Sequence, residues 1–142
     1  MKIQSSDMEE LSMEEVYEFM KKCGAYYLAT MDGDQPRVRP FGTVLIFENK
    51  LYFQTAKAKN VSKQIKKNPK IEICGMSGDR WVRVEAVAVE DDRTEVREKM
   101  LDAYPQLKSM YSADDGNNQV LYLRNATATF YSFGGEPKAV KF

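Results

Sequence analysis

The chain has 142 residues, room for one domain with one core at the usual ~100–200 residues per domain. Lysine plus arginine and aspartate plus glutamate balance at 21 each, so no global field draws the protein onto nucleic acid or an anionic membrane. Histidine is absent, which excludes Ser-His-Asp and Cys-His catalysis, imidazole zinc sites and histidine-ligated haem.

Cys23 and Cys74 are the two cysteines, too far apart for a Cys-x-x-Cys site and too few for a disulfide framework, so they read as free thiols of a reducing compartment. The first twelve residues carry Asp7, Glu9 and Glu10 and no apolar run, and no later stretch approaches ~18 unbroken apolar residues. The expectation is a cytoplasmic protein with no membrane span.

In chain order, Ser12-Met13-Glu14-Glu15 has the capping-box pattern, and Met13, Val16, Tyr17 and Met20 follow at i, i+3, i+4 and i+7. This spacing predicts a helix over 12–23 with Gly24 at its left-handed C-terminal position, leaving 1–11 as an N-terminal extension. An apolar run at 25–31, turn chemistry at Asp32-Gly33-Asp34 and a run at 37–47 predict a β-hairpin. A second hairpin follows, with Val44 to Phe47 and Leu51 to Thr55 joined at Glu48-Asn49-Lys50, where Asn49 tolerates positive φ. Val61 and Ile65 at i, i+4, ended by Pro69, predict a short helix at about 58–67 in a segment with six lysines and no acid.

A third hairpin joins 70–76 to 80–90 through Ser77-Gly78-Asp79, its second strand alternating Trp81, Arg83 and Glu85 against Val82, Val84 and Ala86. A helix over 94–104 is interrupted by Pro105, and a final strand at roughly 119–133 leads through Gly134-Gly135 to a tail at 134–142. The expected fold is mainly β with flanking helices: a six-stranded antiparallel split β-barrel with Greek-key connections, in one domain spanning 1–142.

Three constellations stand out. In an extended strand Arg37 and Arg39 project from one face and repel unless an acid or an anion lies between them, and Pro40 makes the strand irregular. Two solvated arginines on an edge strand satisfy the same pattern. Gln54-Thr55, a short loop and the start of the lysine-rich helix make an anion-binding geometry at a helix N-terminus, while a solvated lysine face is the plain alternative. Lys57 and Lys59 oppose the helix dipole there, so something negative should compensate them. The sole tryptophan, Trp81, suits a planar ligand, a dimer contact or a cross-strand aromatic pair.

The ordered set Gly33-x-x-Pro36, Arg39-Pro40-Phe41, Leu51-Tyr52-Phe53-Gln54-Thr55, Lys59-Asn60-Val61-x-x-Gln64-Ile65 and Asn68-Pro69 resembles the pyridoxamine 5′-phosphate oxidase-like FMN-binding split barrels, over about residues 12–133. Its pyridoxamine-phosphate-oxidase-related and nitroimidazole-resistance-like branch is the most similar. The resemblance implies a homodimer with FMN at the subunit interface. It implies that Arg39 binds the FMN phosphate, that the backbone of Pro40 and Phe41 faces the isoalloxazine, and that Gln54 and Thr55 contact the flavin. Lys59 and Asn60 occupy the implied phosphate-binding loop, with Lys63 counted beside them, and Trp81 and Arg83 lie on the strand lining the flavin cleft. The Arg-x-His substrate signature of true pyridoxamine-phosphate oxidases is missing, so the resemblance does not extend to vitamin B6 oxidation.

The implied function is an FMN-dependent oxidoreductase passing electrons or hydride from a reduced donor to a small acceptor, with no metal and no assigned catalytic residue. The alternatives are a flavin, deazaflavin or haem-binding module without turnover. An oligonucleotide-binding barrel is disfavoured by the neutral charge balance.

Overall fold

The computed structural model describes residues 5–142, with side chains described from Met13 onward. Helix α1 (Ser5–Cys23) is followed by β1 (Tyr26–Asp32), β2 (Gln35–Phe41), β3 (Leu45–Phe47), β4 (Lys50–Ala56), α2 (Asn60–Lys67), β5 (Lys70–Ser77) and β6 (Arg80–Glu90). Helix α3 (Thr94–Ala103), a 3₁₀ turn at Pro105–Ser109, β7 (Asn118–Ser132) and β8 (Lys138–Lys141) complete the chain.

The predicted hairpins form as their turn residues dictate. Gly33 (φ 64°) and Gly78 (φ 63°) lie in the two-residue turns of β1–β2 and β5–β6. Glu48 (φ 49°) and Asn49 (φ 61°) are both left-handed between β3 and β4, the conformation that matches the right-handed twist of the flanking strands.

The strands form one antiparallel sheet in the order β2-β1-β5-β6-β7-β4-β3, with β8 added to β7, and β2 and β3 are not hydrogen-bonded to each other. The sheet is thus open, and it has eight strands where six were expected. One extra strand arises because the 37–47 run breaks at 42–44: Pro40 offers no N–H to a ladder, and the Val44 N–H and C=O both bond the Tyr104 hydroxyl instead. The other is the expected tail, in which Lys138–Lys141 turns back onto β7, with Ala128 opposite Val140. The first helix also starts seven residues early, at Ser5, which makes Ser12 an interior residue and not the cap. Residues 1–4 of the expected N-terminal extension lie outside the described residues.

The inner face of the sheet buries Leu28, Ile73, Val82, Val84 and Ala128 against Val16, Phe19 and Met20 of α1. At ~25 cal/mol per Å² of apolar surface, each such side chain contributes ~1.5–3 kcal/mol. A smaller cluster, Tyr52, Val96, Met100 and Val120, seats α3 on the opposite side of β4 and β7. Strand β4 is therefore buried on both faces, which fixes the position of Gln54 and Thr55. Among the described residues no helix is long and apolar enough to cross a membrane, and no cluster of acids and cysteines could hold a metal ion.

Candidate functional site

Strand β2 is an edge strand, and α2 packs beside β1, so Arg39 lies between them. Its Nη1 donates to the Leu28 carbonyl (3.1 Å) and to Thr30 Oγ1 (2.8 Å), and its Nη2 donates to Gln64 Oε1 (2.8 Å). Thr30 Oγ1 donates in turn to Gln64 Oε1 at 2.5 Å, which ties the three side chains into one frame. Three of the five guanidinium donors are thereby used, and donors on Nε and Nη2 remain without a partner among the described residues. Among the described residues no carboxylate pairs with Arg39; burial, and then the charge of Arg37, lower its pKa below the ordinary guanidinium value. Arg37, on the same strand face, has its own partner: its Nε lies 3.3 Å from Asp32 Oδ2 at an exposed position. An acid compensates Arg37 and not Arg39.

The start of α2 faces the same space. Lys59 is the N-cap residue, no side chain among the described residues caps the helix, and the first turn carries no acid. The orphan N–H groups and the positive end of the dipole are thus left for an anion. The negative charge expected beside Lys57 comes from protein acids: its Nζ is 3.6 Å from Glu90 and 3.8 Å from Asp92. A cavity of about 410 Å³ is lined by Arg37, Arg39, Lys59, Asn60 and Gln64.

Lys59 also lines an adjoining cavity of about 400 Å³, walled by Pro40, Phe41, Thr43, Gln54 and Tyr104. The Phe41 ring packs on Phe53 (5.6 Å) and edge-on to Tyr26 (6.2 Å), anchoring this end of β2. Tyr26, fully buried, donates to the Thr43 carbonyl at 2.6 Å, and Thr43 Oγ1 accepts from the Gln54 N–H at 2.9 Å. Burial raises the pKa of both Tyr26 and Tyr104. The Gln54 amide donates to the Thr55 carbonyl and to Asn118 Oδ1, each at 2.9 Å, so its orientation is set. The hydroxyl of Thr55 and the amide nitrogen of Asn118 are buried without a partner among the described residues.

The structure thus brings together Arg39, Pro40, Phe41, Gln54, Lys59 and Asn60 around two neighbouring cavities that share Lys59. Thr55 sits beside Gln54 but lines neither of them. Lys63 lies one turn further along α2, on a third cavity. Trp81 and Arg83 are not brought in: they stand on β6, where Trp81 stacks on Tyr131 at 5.3 Å and Arg83 lies over the same ring at 5.5 Å. Sequence reasoning did not single out Thr30, Thr43, Gln64 and Tyr104 as site residues. Gln64 stood in the quoted motif; the other three owe their places to contacts across 9 to 60 residues, which leave no local signal.

The family model described as pyridoxamine 5′-phosphate oxidase matches residues 12–131. The chain belongs to the pyridoxamine 5′-phosphate oxidase family. Within the solved members it is similar to a NimC/NimA family protein from Clostridium acetobutylicum, with 45% identity over 96% of each chain and a TM-score of 0.92. Its fold is shared with General Stress Protein 26 from Bacillus anthracis (15% identity, 94% of this chain and 98% of that one, TM-score 0.74). It is shared too with the haem storage protein HutZ from Vibrio cholerae (14% identity, 80% and 91%, TM-score 0.62). No curated protein matches the chain.

Proposed function

We propose that this member of the pyridoxamine 5′-phosphate oxidase family binds FMN and works as a flavin-dependent oxidoreductase, as a homodimer. The observation that carries the reading is Arg39: a framed guanidinium that has, among the described residues, two open donors and no carboxylate partner, beside a start of α2 that none of their side chains caps. That donor set fits a phosphate monoester, since a doubly acidic group accepts a planar fork, a lysine and backbone N–H groups together. In this reading Arg39, Lys59 and Asn60 hold the phosphate. The adjoining cavity receives the ring, edged by the backbone of Pro40 and Phe41 and by Gln54 and closed by Tyr104, whose hydroxyl is tied to Val44 in both directions. The bound flavin supplies a ring that takes a hydride or electrons from a reduced donor and passes them to a small acceptor. With no imidazole in the chain, the protein's part is to bind, orient and leave one ring face open.

The outer sheet face supports the dimer. Tyr27 (51% exposed), Val38 (67%), Met76 (53%) and Phe133 (72%) lie on or beside adjacent strands, next to Trp81 and Tyr131. Exposed apolar and aromatic side chains gathered on one sheet face suit an interface, and a twofold pairing buries the same face on both copies. Trp81 and Arg83, remote from Arg39 within one chain, would reach a flavin from the second copy. Free Cys23 and Cys74 suit a reducing cytoplasm.

The visible spectrum of the purified protein tests the cofactor. A flavin band near ~450 nm is expected. A Soret band in its place would favour the haem-binding alternative, for which this chain offers no imidazole ligand.

A further inference from the structure

A third cavity, of about 620 Å³, continues the row. It shares Asp32, Asn60 and Gln64 with the proposed phosphate cavity and nothing with the ring cavity, so the order is ring, phosphate, third space. One wall is a single stripe of α2: Asn60, Lys63, Gln64 and Lys67 stand at i, i+3, i+4 and i+7. The facing wall is the β1–β2 turn, Met31 to Gly33. Lys63 and Lys67 are like charges one turn apart, exposed, and in no ion pair among the described residues. The one acid in the wall, Asp32, is engaged by Arg37. Lys66, on the same helix, does not line this cavity; it lines a neighbouring one that Lys63 also borders.

We propose that this third cavity receives a second phosphoryl group carried beyond the flavin phosphate, with Lys63 and Lys67 as its contacts, so that the site accepts a flavin dinucleotide as well as the mononucleotide. The proposal rests on the flavin reading above and adds to it. A ligand that ended at the first phosphate would leave the Lys63–Lys67 stripe facing water, whereas a dinucleotide places its second negative group on the side where Lys63 and Lys67, unpaired among the described residues, stand. The remaining volume and Met31 accommodate the attached nucleoside.

Calorimetric titration of the apoprotein with FMN and with FAD tests this, in wild type, in a Lys63→Ala/Lys67→Ala double variant and in Lys66→Ala. In FAD the first phosphate carries one charge instead of two and the second phosphate carries the other, so wild type is expected to bind FAD within about tenfold of FMN. The double variant is expected to lose about threefold to tenfold for FAD and less than about twofold for FMN, the range for two exposed cation contacts. Lys66→Ala should leave the ratio of the two affinities unchanged. FMN bound more than about tenfold tighter than FAD by wild type, or equal losses for both flavins in the double variant, would overturn the proposal while leaving the flavin reading standing. Failure of both flavins to bind wild type would overturn the two together.

Discussion

Arg37 and Arg39 occupy one strand face, yet one meets a carboxylate and the other meets Thr30, Gln64 and a carbonyl. That difference separates their expected effects. Arg39→Ala removes a charge-assisted fork and leaves a bound anion underpaired, so FMN binding should weaken by roughly 2–4 kcal/mol, on the order of thirtyfold to a thousandfold in Kd. Arg37→Ala should cost under ~1 kcal/mol, as for an exposed ion pair. Arg39→Lys keeps the charge and loses the planar fork, and should fall between wild type and the alanine variant. Titrations with circular dichroism as a check on folding measure all three; a larger loss for Arg37→Ala than for Arg39→Ala would place the anion elsewhere on β2. Arg39 and Lys59 stood out as candidates because a cation pair on a strand and a helix start are local patterns, whereas Asn60 entered through the family resemblance. The sequence could not separate Arg39 from Arg37, since the Asp32 that decides the matter lies across the hairpin.

Helices and hairpins were readable wherever a residue type dictates the backbone. Gly33, Gly78 and Asn49 marked their turns because few other residues adopt positive φ. Elements whose existence depends on a partner were missed. Gly134-Gly135 signals a stop, and only the free edge of β7 makes Lys138–Lys141 a strand. The junction of β4, β6 and α3 is another case. Tyr52 on β4 donates to Asp91 at 2.7 Å, and Arg93, the N-cap of α3, reaches Asp91 at 2.9 Å and Glu48 at 2.7 Å. Arg93, with Tyr52 assisting, holds the Asp91 carboxyl down at about 2. A carboxylate whose pKa is lowered on folding contributes stability above its unfolded value of ~3.9 and loses it as pH falls toward the folded one. Asp91→Asn should therefore cost about 1–2 kcal/mol at pH 6 in urea unfolding, and the gap to wild type should close between about pH 4 and 2. A gap that stayed constant across that window would mean that the carboxylate charge is not what the junction uses.

Over the whole molecule, sheet order was the least legible property. The pairings of β1 with β5 and of β4 with β7 join segments with α2 or more between them, and hydrophobic alternation reports which face is buried without naming the neighbour. The outer face of that sheet carries the dimer expectation. Light scattering should return twice the 16.3 kDa chain mass, and Val38→Lys, at an exposed position on edge strand β2, should shift the protein toward monomer with circular dichroism unchanged. A wild-type protein that stayed at 16.3 kDa with FMN bound would remove the dimer. The central claim is that the two cavities that meet at Lys59 bind a flavin through its phosphate. Titration of the apoprotein with FMN and with riboflavin, which share the ring and differ only in that group, tests it most directly. FMN is expected to bind about thirtyfold to a thousandfold more tightly; equal affinities would contradict the account.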